Sequence, residues 1–81
     1  MMDRKITEQA LGLILTEIGT RLGEASRIAK AAEACALAGS VSEGVKVSMD
    51  IERIFYETHR LQDAASLLNR LSNGVIHLES R

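Results

Sequence analysis

Residues 29–43 read AKAAEACALAGSVSE, and the architecture follows from them. The first ten residues are six alanines with Lys30, Glu33, Cys35 and Leu37 among them, a strongly helix-favouring run. Gly39 then offers the left-handed conformation that ends a helix. Ser40 with Glu43 has the spacing of a capping box, which starts the next helix. A stop that abuts a start leaves no room for a long loop, so the second helix folds back beside the first as an αα-hairpin.

Reading outward from that corner, helical periodicity extends in both directions. The first segment runs from about 3 to 38, with apolar residues on a heptad seam: Leu11, Leu15, Ile18, Leu22, Ala25, Ala29, Ala32 and Ala36. Ile14, Ile28 and Cys35 lie one position before that seam and widen it on one side. Gly12, Gly19 and Ser26 form a line of small residues next to it, which reads as a site of close packing. The second helix runs from about 41 to 72, with its seam at Val47, Ile51, Ile54, Thr58, Leu61, Ala65, Leu68 and Ser72. Asn73-Gly74 reads as its stop, and the short tail 75–81 is apolar enough to be expected to pack back on the helices.

Composition agrees with this outline. The chain has 81 residues, one domain at most, with 46% hydrophobic and 26% charged residues, which is globular composition. It has no proline and only Phe55 and Tyr56 as aromatics, which argues against an all-β fold. A net charge of −1 argues against a main task of coating nucleic acid or an anionic membrane. The single cysteine, Cys35, excludes an intramolecular disulfide framework and is expected to be a buried inert thiol. Glu8 and Glu17 bracket the longest apolar stretch, so no membrane span or signal peptide is expected, and the compartment is read as cytoplasmic.

One seam does not use all the apolar surface. Leu13, Ile14, Ile28 and Leu37 on the first helix, and Val45, Met49, Phe55, Ala64, Leu67 and Leu71 on the second, lie off the two seams. The expected fold class is therefore all-α: a long antiparallel helical hairpin, two copies of which form a four-helix bundle. The residues assigned to the core and dimer seam are Leu15, Ile18, Leu22, Ala25, Ala29, Ala32, Ile51, Ile54, Leu61, Ala65 and Leu68.

Glu52, Tyr56, His59 and Asp63 share one helical stripe, but the stripe faces away from the seam and reads as a solvated polar face. Thr58, within the seam, is expected to bond the carbonyl one turn earlier. No phosphate loop or nucleophile–base set occurs, so no catalytic, cofactor or metal residues are assigned, and no cofactor is expected. Arg4–Glu8, Glu17–Arg21, Lys46–Asp50 and Arg53–Glu57 have the spacing of surface ion pairs. Lys46, Arg53 and Arg60 form a basic line, interrupted by Asp50, Glu57 and Asp63.

Val45, Met49 and Tyr56 make a candidate partner-docking strip on the outside of the second helix. The functional expectation is a small non-enzymatic dimeric protein, an interaction or regulatory module, with itself and another protein as partners. The alternatives are an RNA-binding bundle using the basic line and, behind it, a metal-dependent enzyme.

Overall fold

The computed structural model describes residues 4–79, with side chains through Asn73. It consists of α1 (Arg4–Leu37) and α2 (Val41–Glu79), packed against each other as an antiparallel hairpin of 61 × 20 × 14 Å. The Cα radius of gyration is 18.4 Å, against about 12 Å for a compact domain of this length. The molecule is a rod.

The corner forms where the sequence places it. Gly39 has φ +88°, and its N–H donates to the Ala36 carbonyl at 3.0 Å. The Ser40 N–H donates to the Cys35 carbonyl at 2.8 Å. These two bonds make a Schellman motif, which satisfies carbonyls that the end of α1 would otherwise leave open. Ser40 also starts α2, because its own carbonyl accepts from the Gly44 N–H at 3.0 Å. The expected reciprocal capping box is replaced: the Glu43 carboxylate lies 4.0 Å from Lys46 Nζ rather than turning back to Ser40.

On α2 the line facing α1 is Gly44, Val47, Ile51, Ile54, Thr58, Leu61, Ala65, Leu68 and Ser72, every one buried or half-buried. From Val47 onward this is the seam expected from spacing. Ile54, with 1% of its surface exposed, is the most enclosed large side chain among the described residues. Ala25 and Ala65 are the other buried apolar residues described.

On α1 the line that faces α2 within the chain is shifted from the seam read by spacing. Leu11, Ile18, Ala25 and Ala32 do turn inward, but their companions are Thr7, Ile14, Arg21, Ile28 and Cys35. Leu15, Leu22, Ala29 and Ala36 are exposed. Both lines border the shared one, and each residue step rotates the helix by about 100°, so spacing alone does not choose between them. The corner chooses. Gly44 is pressed against the Ala32 carbonyl and the Cys35 side chain, which turns the 28–32–35 side of α1 toward α2.

The far end departs from expectation as well. Asn73-Gly74 does not stop α2, which continues to Glu79. A glycine ends a helix when it takes a positive φ; among the described residues only Gly39 does. No proline follows Gly74 to enforce a break, so its cost is the ordinary glycine penalty of about 1 kcal/mol. The packing expected for the tail, and the environment of His77, lie outside the described side chains.

Candidate interaction surface

Two long edges run along the rod, and they differ in chemistry. On one, Arg21 of α1 reaches across the helix junction. Its Nη1 donates to Glu57 Oε1 of α2 in a short contact, and its Nε donates to Glu17 Oε1 at 3.0 Å. Arg53 Nη1 donates to the same Glu57 oxygen at 3.1 Å, and Arg53 Nη2 lies 3.9 Å from Glu24 Oε1. Five charges thus form one network, Glu17–Arg21–Glu57–Arg53–Glu24, with two of its links crossing between helices. The i,i+4 spacing marked Glu17–Arg21 and Arg53–Glu57 but missed the crossings, which require Arg21 at a seam position opposite Glu57.

The basic line is consequently occupied. Arg53 sits between two carboxylates, Lys46 is beside Glu43 rather than the expected Asp50, and Arg60 Nη1 donates to the Tyr56 hydroxyl at 2.9 Å. The Arg60 guanidinium carbon also lies 5.7 Å from the Tyr56 ring centroid, a cation–π contact. Each of these cations already faces an internal partner. That leaves less to offer a phosphate backbone than a free row of bases would.

The opposite edge is uncharged over most of its length. Leu11 and Leu15 of α1 line a shallow open groove with Gln62, Ala65, Ser66 and Asn69 of α2. Seven residues on from Leu15, and seven back from Gln62, helical repetition brings Leu22 and Phe55 to the same edge. All three large residues are exposed: Leu15 61%, Leu22 44% and Phe55 57%. Gly12 and Gly19 follow the same side of α1, and neither has a neighbouring atom within 4 Å of where a Cβ would stand. The small-residue line therefore does not serve packing inside the hairpin. The glycine that does is Gly44, which the helical periodicity gave no reason to single out: a Cβ there would lie 2.7 Å from the Ala32 carbonyl oxygen.

The outer face of α2 carries the docking strip. Val45, Met49 and Tyr56 are all exposed, with Val45 nearer the apolar edge and Tyr56 covered on one side by Arg60. In the polar stripe, His59 Nε2 lies 3.3 Å from Asp63 Oδ2, and both side chains are well exposed. Among the described residues, no three His, Cys, Asp or Glu side chains come together as a metal site. Cys35 is half-buried beside Gly44. Thr58 breaks its expectation: its Oγ1 is buried and has no hydrogen-bond partner, in contrast to Thr16 Oγ1, which donates to the Gly12 carbonyl at 2.9 Å.

The fold and its surfaces define a long antiparallel helical hairpin with one ionic and one apolar edge. No family model matches the chain, and no curated protein or solved structure is significantly similar to it. No described helix is long and apolar enough to cross a membrane.

Proposed function

We propose that this chain is a small non-enzymatic cytoplasmic module that acts by association. It pairs with a second copy as a four-helix bundle and presents the outer faces of that bundle to another macromolecule as an interaction or regulatory element. The observation that carries this reading is unburied surface. The hairpin exposes 6173 Å², whereas a folded monomer of this mass is expected to expose about 4,800 Å². The excess, roughly 1,400 Å², is larger than the ~800 Å² that one partner contributes to a standard interface.

The residues behind that excess point the same way. Ile6, Leu13, Leu15, Leu37, Val41, Val45, Met49, Phe55 and Tyr56 are each more than half exposed, against three buried apolar side chains among the described residues. Single exposed leucines are ordinary on protein surfaces, but rows of them along a rod with so thin a core are not. An interaction role also fits the outer strip, where Met49 and Tyr56 supply an adaptable and an amphipathic contact.

Sedimentation equilibrium of the full chain across the micromolar range tests the reading. The expected result is a dimer whose melting temperature rises with protein concentration. A compact monomer that melts cooperatively and independently of concentration overturns it.

A further inference from the structure

We infer that the apolar edge is the seat of the second copy, and that α1 packs there on α1 of its partner, antiparallel, about a two-fold axis level with Thr20 and Arg21. This rests on the association proposed above and adds the face and the orientation. Along that edge α1 carries a second seam, Gly12, Leu15, Gly19, Leu22, Ser26 and Ala29, stepping three and four residues like the first. All six of these residues are exposed in the hairpin, and no charged residue interrupts the line. The excess of roughly 1,400 Å² over a compact monomer is enough for a second hairpin.

Why the partner is another copy follows from the pattern of sizes. Pairing α1 antiparallel with itself about its own midpoint, between residues 20 and 21, sets Gly12 level with Ala29, Leu15 with Ser26, and Gly19 with Leu22. Every large side chain then faces a small one, the alternation by which packed layers interdigitate. The surface is complementary to its own two-fold image, as an isologous interface requires. Stacking α1 on the partner's α2 would instead set Leu15 and Leu22 against a side on which Phe55 is flanked by Glu52, His59, Gln62 and Asn69. The other edge is excluded because its five-charge network would have to be desolvated, with its partners already satisfied inside the chain.

The test uses the full chain in three arms. By sedimentation, Leu15→Glu/Leu22→Glu is expected to weaken the dimer at least ~100-fold, since a carboxylate would be buried without a partner. Met49→Asp/Tyr56→Asp, also exposed but on the outer face, is expected to leave it unchanged. The third arm needs no disruptive change: Leu22→Cys in a Cys35→Ala background is expected to cross-link two chains on mild oxidation. Near the axis the two sites are about 5 Å apart along the helices, within disulfide reach. Cys35 of the unmodified chain lies roughly 40 Å from its twin in this arrangement and is expected not to cross-link. A wild-type monomer overturns the association itself. A dimer that survives the double glutamate change, or yields to the outer-face one, overturns the face. Failure of Leu22→Cys to cross-link, or cross-linking through Cys35, overturns the pairing of α1 with α1.

Discussion

Gly44 and Ala32 meet so closely at the base of the hairpin that a Cβ on Gly44 would stand 2.7 Å from the Ala32 carbonyl oxygen. The atom in the way is backbone, which cannot swing aside as the end of a long side chain can. This contact lies one turn into α2, directly after the Gly39–Ser40 corner. It therefore governs both how near the helices come and which side of α1 faces in.

Gly44→Ala is accordingly expected to destabilise the protein by about 1–3 kcal/mol, the range for overpacking a tight contact. Intrinsic helix propensity predicts the opposite sign, a gain of about 1 kcal/mol for glycine to alanine. Thermal melts of both proteins at one concentration decide between them. A higher melting temperature for the variant would show that the close approach carries no weight.

Gly23 and Gly39 make a contrasting pair. At Gly23 a Cβ would meet nothing nearer than Arg27 Nη1 at 3.8 Å, so Gly23→Ala is expected to stabilise by about 1 kcal/mol through helix propensity. At Gly39 there is also space, but φ is +88°, so Gly39→Ala is expected to destabilise by roughly 1 kcal/mol despite the room. Urea titrations of the two variants should therefore move their midpoints in opposite directions.

Thr58 holds a buried hydroxyl with no partner, in a seam otherwise made of apolar and small residues. Thr58→Val keeps the branched shape and removes the unsatisfied oxygen. The expected effect is a gain of about 1 kcal/mol, from the desolvation cost of an unmade hydrogen bond. A valine variant that melts lower than wild type would mean that the hydroxyl has a partner in solution.

Arg21 and Glu57 tie the two helices together through side chains that remain about one-third exposed. A double-mutant cycle, Arg21→Ala with Glu57→Ala, is expected to give a coupling of no more than about 1 kcal/mol, falling as salt is raised. The expected value is low because water still reaches both groups. Coupling that persists undiminished at 1 M salt would mark the pair as buried by a further chain.

Ile54 is the converse case, a side chain with 1% exposure at the middle of the rod. Ile54→Ala is expected to cost about 2–5 kcal/mol, enough to unfold a hairpin with so few other enclosed groups. Circular dichroism at 25 °C reads this directly, and full helicity in the variant would place the core elsewhere.

Periodicity marks one facing line on α2 and two on α1. On α2, the expected line from Val47 to Ser72 is the one that faces α1, because its flanks are polar enough to leave one choice. On α1, apolar residues lie on both sides of Leu11, Ile18, Ala25 and Ala32, so two seams share one line. Leu15, Leu22 and Ala29 have the spacing of a packing stripe, yet all three are exposed in the hairpin. The charge of Arg21 marks it as a surface residue by spacing alone, whereas its aliphatic stem and crossing ion pair let it occupy the seam.

Local chemistry by itself determined the two long helices, the corner at Gly39–Ser40 and the fold-back between them. Helix propensity, a left-handed glycine and three-four spacing act over a few residues and need no distant partner. Only the tertiary structure decided the rotation of α1, the end of α2 past Gly74, and the burial of Gly44 and Thr58. Those depend on which atoms two helices bring together across the seam. That is set by one close backbone contact at the corner and carried along the whole rod by helical rigidity.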